Sequence, residues 1–164
     1  MSNNFYLNFN NDNLYVGGNI VDDQWVYKYL LLKPTALGNK QIYRYDLVSN
    51  GYLPDRDSDY ELIFDVFNWT NATAGNQVGL WVYCVQPSYN VSNYTTVSSI
   101  SPFTFRTRLI RARARVNYHA CQGCSSIIPI INGGTQLVFW NSDTVVMHYW
   151  DIEFRGYRRL GTNT

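Results

Sequence analysis

Apolar and polar positions alternate along most of this chain, with turn residues between the runs. Tyr60 to Phe67 is the plainest case: Leu62, Phe64 and Val66 share one face, and Glu61 and Asp65 the other. His148, Trp150, Ile152 and Phe154 repeat the pattern near the end, with Asp151, Glu153 and Arg155 opposite. Shorter runs cover Phe5 to Phe9, Leu14 to Val16, Trp25 to Leu32 and Gln41 to Val48. Val78 to Val85 is almost continuously apolar, as a strand covered on both faces would be. The longest run, Phe103 to Tyr118, precedes a segment of small residues, Ala120 to Ser126. Ile127 to Ile131 then passes through Asn132-Gly133-Gly134, a hairpin-type turn, into Gln136 to Trp140. Eight to ten strands are predicted, and no helical period lasts beyond a turn or two. An all-β sandwich or barrel follows.

Composition supports that reading. Of 164 residues only 2 are Glu and 3 Lys, whereas 14 are Tyr, 8 Phe and 5 Trp. Helix formers are scarce and strand formers abundant. At this length a single domain over residues 1–164 is expected, with 1–19 as an Asn-rich amino-terminal extension. An apolar fraction of 46% excludes a disordered chain. No run of 18 apolar residues occurs, so neither a spanning helix nor a membrane partner is expected. The opening Met1-Ser2-Asn3-Asn4 lacks the basic start and apolar stretch of a secretory signal. With an odd count of three cysteines, a reducing compartment fits.

Charge changes the picture more. Charged residues are 15% of the chain, against roughly 25% in ordinary domains. The net charge of +1 hides an asymmetry: residues 1–101 sum to −4 and residues 102–164 to +5. Five guanidiniums fall within ten residues, at Arg106, Arg108, Arg111, Arg113 and Arg115. A spacing of two puts each set on one strand face. Leu109-Ile110 shifts the phase between them, and a bulge there would restore a common surface. Arginine offers phosphate a permanent charge and a bidentate fork, so these five are candidate nucleic-acid ligands. The other reading pairs them with the acidic segment 55–65, inside the fold or across a subunit boundary.

Within that segment Asp55, Asp57 and Asp59 alternate like the start of a calcium loop. Tyr60 stands where the EF-hand needs Gly and Val66 where it needs Glu, so an ordinary turn is the simpler reading. A looser structural calcium site at a subunit interface remains the candidate. Cys121 and Cys124, with Cys84, His119 and His148, have the donor types for zinc, but one CxxC without a second is weak. No nucleophile elbow or general-base motif occurs, and no enzyme or cofactor is expected. Many aromatics must lie outside the core. Tyr, Trp and Arg with few Lys or Glu is the composition of a surface that meets other subunits.

Tyr60-Glu-Leu-Ile-Phe-Asp-Val-Phe67 is followed by a turn, Gly79-Leu-Trp-Val-Tyr-Cys-Val85 and then Gln86-Pro87-Ser88. With the Arg-rich strand, the Gly-Gly turn and Tyr149-Trp-Asp-Ile-Glu-Phe-Arg155, this order resembles a single jelly-roll capsid protein of a small icosahedral virus, satellite-virus-like or small RNA-virus-like. The likeness covers about residues 20–160 and is one of pattern, without a signature motif. It implies an eight-stranded antiparallel jelly-roll sandwich with one or two extra amino-terminal strands. It also implies assembly of about sixty copies, or a multiple, around RNA bound without sequence preference. The virion, and the host cytoplasm during assembly, would then be its location. Such proteins usually carry a basic amino-terminal arm, whereas residues 1–27 hold no Lys or Arg. About sixty copies at +1 cannot offset a genome with one negative charge per nucleotide. The +5 half is therefore expected to face the genome and the −4 half to face away. The alternative is a trimeric β-sandwich head, as on a viral or phage fibre, binding a receptor or glycan.

Overall fold

Each run with a period of two forms a strand, and turn residues separate the strands. The computed structural model describes residues 5–8, 13–16, 19–21, 25–71, 77–89, 105–113, 119–142 and 146–162. Side chains are described over 25–68, 79–89, 105–109, 124–142 and 146–160. In chain order the strands are β1 (Phe5–Asn8), β2 (Asn13–Val16), β3 (Asn19–Val21), β4 (Trp25–Leu32), β5 (Ile42–Asp46) and β6 (Ser58–Asn71). They continue with β7 (Gln77–Val85), β8 (Phe105–Arg113), β9 (His119–Ile130), β10 (Gln136–Asn141) and β11 (Tyr149–Thr162). The described residues contain no helix.

Pairing is nested. β4 pairs β11, β5 pairs β10, β6 pairs β9 and β7 pairs β8, all antiparallel. Laid flat, this is one long ribbon. Wound up, its successive rungs fall alternately into two four-stranded sheets, ordered β4-β11-β6-β9 and β5-β10-β7-β8. This winding is the jelly roll. β1, β2 and β3 make a small antiparallel sheet of their own, three strands where one or two extra were expected.

The inner faces meet in one core. Leu62, Phe64 and Val66 from β6 are buried, as alternation predicts, with Trp150, Ile152 and Phe154 from β11. Leu80, Val82 and Cys84 from β7 and Leu137 and Phe139 from β10 face them. Phe139 and Trp150 touch edge to face at 5.7 Å, and Tyr43 and Trp150 at 5.5 Å. Such contacts contribute about 0.5–1.5 kcal/mol beyond burial. The Trp150 indole N–H donates to the Thr35 carbonyl at 3.0 Å, so the ring is buried without an orphaned donor.

Three expectations need correction. The small residues Ala120 to Ser126 are strand, so that the run expected from Ile127 begins at His119 as β9. Cys124 and Ser126 stand opposite Val66 and Phe64, where small side chains leave room for large ones. Asn132 and Gly133 have φ of 51° and 71°, the left-handed pair that an Asn-Gly turn favours. Yet β9 and β10 lie in different sheets, so the turn crosses the sandwich instead of closing a hairpin. The last strand also runs on to Thr162, because irregularities between Phe154 and Gly156 and between Arg159 and Gly161 absorb the breaks in alternation.

Gly156 follows the first of these. A Cβ there would sit 2.5 Å from the Val26 carbonyl oxygen, so β4 and β11 approach too closely for any side chain. This position explains why a glycine interrupts an otherwise bulky strand.

Candidate nucleic-acid interface

β8 is the edge strand of the sheet β5-β10-β7-β8, and its register shows how the arginines are placed. Tyr83 faces Arg106 and Trp81 faces Arg108; the register then shifts, so that Leu80 faces Ile110 and Gly79 faces Arg111. Leu109 is the extra residue, and it is buried in the core. This is the bulge that the phase shift predicted. Tyr83, Trp81, Gly79 and Gln77 alternate along β7, so Arg106, Arg108, Arg111 and Arg113 all stand opposite residues of one phase. The side chains of Arg111 and Arg113, and the whole of Arg115, lie outside the described residues.

Two cross-strand rows complete the outer face. One reads Arg44, Val138, Tyr83, Arg106; the other reads Ile42, Trp140, Trp81, Arg108. Guanidiniums therefore occupy both edge strands and apolar groups the two middle strands. Arg44, Arg106 and Arg108 are exposed. The Arg108 guanidinium carbon lies over the Trp81 ring, 4.6 Å from its centroid. Tyr83 lies 6.5 Å from Trp81 and 6.1 Å from Trp140. Tyr83, Val85 and Val138 are buried as a second apolar cluster, with Tyr89 packed against it. Burial pushes the Tyr83 phenol above its ordinary range, partly opposed by Arg106. Asp46 is a carboxylate on this face, and Arg56 pairs with it at 3.0 Å.

Arg44, Trp81 and Trp140 were not singled out in the sequence. Arg44 had a signal, because it stands between Tyr43 and Tyr45, both of which pack on the core. Trp81 had none, since a continuously apolar run does not reveal which residues face out.

The acidic segment is committed elsewhere. Asp55 accepts the Asp57 and Ser58 N–H groups at 3.1 and 2.9 Å and binds Arg159 at 2.5 Å. Partial burial works against its charge, but the Ser58 N–H foremost, then the Tyr60 and Ser58 hydroxyls and Arg159, hold its carboxyl below the usual range. Glu61 pairs with Arg158 at 2.6 Å and Asp65 with Arg155 at 2.5 Å. The guanidiniums paired with Asp55, Glu61 and Asp65 thus come from β11, and β6 and β8 lie in different sheets.

As for cations, Asp59 accepts the Asn132 N–H at 3.0 Å, while Asp57 is exposed. Among the described residues no three His, Cys, Asp or Glu side chains gather as metal ligands. Cys84 is fully buried and Cys124 half-buried, and burial pushes both thiols up. The side chains of His119 and Cys121 lie outside the described residues, and His148 is exposed.

The other sheet presents a different outer face. Every large apolar residue exposed among the described side chains lies on its strands: Tyr27, Tyr29, Leu31, Phe67, Ile127, Tyr149 and Leu160. Tyr27 is 80%, Ile127 60% and Phe67 47% exposed. Glu61, Asp65, Asp151 and Glu153 alternate with the buried residues of β6 and β11 and so share this face with Arg155 and Arg158.

Neither a family model nor a curated protein sequence matches the chain. Among solved structures, it is similar to one of tomato aspermy virus, at 12% identity and a TM-score of 0.40, over 84% of this chain and 80% of that one. A Nora virus structure is similar at 11% identity and a TM-score of 0.35, over 83% of this chain and 57% of that one. The coat protein of tobacco streak virus is similar at 8% identity and a TM-score of 0.28, over 87% of this chain and 89% of that one.

Proposed function

We propose that this chain is a viral coat protein that assembles with copies of itself into a small closed shell and holds nucleic acid on the outer face of the β5-β10-β7-β8 sheet. Arg44, Arg106 and Arg108 are the described ligands on that face; Arg111 and Arg113 follow in the backbone register of β8, and Arg115 comes next in the sequence. One observation carries the reading: the two outer faces of the sandwich differ in kind. Guanidiniums and aromatics occupy one, while exposed apolar residues with carboxylates occupy the other. An exposed apolar set of this size on a monomer marks a protein contact. A single-sign cationic face marks a polyanion contact.

The pairing of Glu61 and Asp65 with β11 favours this reading over an internal pairing of the arginine strand with segment 55–65. Contact through phosphates is independent of base sequence and weakens with salt. Size-exclusion chromatography with negative-stain microscopy tests the assembly. Megadalton spheres are expected; a species near three times 19.0 kDa would favour a trimeric head instead. Changing Arg111, Arg113 and Arg115 together to Gln is expected to give shells that lose their nucleic acid. An unchanged ratio of absorbance at 260 and 280 nm would overturn the assignment of that strand.

A further inference from the structure

We infer that Trp81 and Arg108 form a stacking step for the bases of single-stranded nucleic acid. This rests on the polyanion reading above and narrows it to one strand state and two side chains. In a charge stripe alone, the aromatic neighbours of the arginines would be incidental. Here they are organised. The Arg108 guanidinium lies over the Trp81 ring at 4.6 Å, and Trp140 stands directly opposite Trp81 on β10.

Trp81 is half-buried and Arg108 exposed, so the indole supports the guanidinium from beneath and solvent meets its far side. A flat guanidinium held against an aromatic ring is a surface on which a base can stack, and every base offers the π-face it needs. Trp81 is thus a positioning residue, and Arg108 the group that touches the base.

The width of the face agrees. Arg44 and Arg106 stand at the two ends of a four-strand row, which three interstrand spacings make about 14 Å wide. Bases over the middle strands leave phosphates within reach of guanidiniums on the edges. Tyr89 packs on the cluster of Tyr83, Val85 and Val138, so the half-open row is the one through Trp140, Trp81 and Arg108. In a duplex the base faces are stacked on one another and closed to a guanidinium, which leaves phosphates and groove edges to be bound. Single strands should therefore bind more tightly than duplexes of equal phosphate number.

Nucleic-acid-free protein titrated with fluorescein-labelled oligo-uridine, an RNA duplex of equal phosphate number and heparin tests this. Oligo-uridine is expected to bind about tenfold more tightly than the duplex. Trp81→Leu is expected to remove most of that preference and to leave the duplex, heparin and the salt slope unchanged. Trp81→Phe should restore at least part of it. Arg108→Gln should weaken all three ligands and lower the salt slope by about one.

Equal affinity for single strand and duplex in the wild-type chain overturns the stacking step without relying on any variant. So does a Trp81→Leu chain, folded by circular dichroism, that keeps the preference. Either result, with the Arg108→Gln effect intact, spares the polyanion reading. Binding that ignores both salt and Arg108→Gln removes that reading as well, and capture of a sulfated or sialylated glycan alone would replace it.

Discussion

The two outer faces of the sandwich are each built from four antiparallel strands with the same alternation, yet they carry opposite kinds of side chain. On β4-β11-β6-β9 the carboxylates of Glu61 and Asp65 are each held by a guanidinium from the neighbouring β11 strand, at 2.6 and 2.5 Å. Charge there is satisfied locally, and what remains conspicuous is exposed apolar surface. On β5-β10-β7-β8 the exposed arginines stand on edge strands with aromatic groups between them. That face is cationic, whereas on the first Glu61 and Asp65 already hold their counter-charges. On the proposed function, the fold separates protein contact from polyanion contact by sheet, not by loop.

The sharpest way to break this comparison is to put charge into the apolar face. Ile127→Asp with Phe67→Asp should abolish assembly and leave a folded species near 19.0 kDa, read by chromatography and circular dichroism. Both side chains are exposed, so the isolated subunit loses little. Spheres that persist would move the subunit contact elsewhere. Next in size is Gly156→Ala. Its new Cβ meets the Val26 carbonyl, a backbone atom that cannot swing aside, and a loss of about 1–3 kcal/mol is expected from urea denaturation. A neutral result would mean that β4 and β11 can separate freely at this point.

The smallest effect concerns acid. The folded pKa of Asp55 lies below its unfolded value, so its contribution is complete above about pH 4 and fades as pH falls through the folded pKa. Asp55→Asn keeps the turn acceptor and loses the titration. Its urea midpoint should fall less than the wild type's between pH 7 and pH 3. At this partly exposed pair with Arg159 the difference is under about 1 kcal/mol.

Alternation made β6 and the first half of β11 legible, because each has one polar and one apolar face. It also exposed the phase break at Leu109, since arginines spaced by two make a skipped position visible. The breaks in β11 near Arg155 and Leu160 were hidden, because Arg, Gly and Tyr there follow no alternation that could be interrupted. Nor could spacing reveal that Arg155 and Arg158 answer Asp65 and Glu61, because partners so far apart in the chain meet only through sheet register. Trp81 was invisible for a third reason. In a run where nearly every residue is apolar, the outward ones are identified only by what lies across the sheet.

The nested pairing has a consequence in time. β4 sits at the edge of its sheet with β11 as its neighbour, and Leu32 pairs with Ile152. During synthesis β4 emerges well before β11 and must wait for it. Contacts so distant in sequence form slowly. The outer face that carries Tyr27 and Tyr29 is therefore not complete as a surface until β11 has been made. Until then a growing chain has no finished apolar face to offer its neighbours, so the winding itself would delay association through that face.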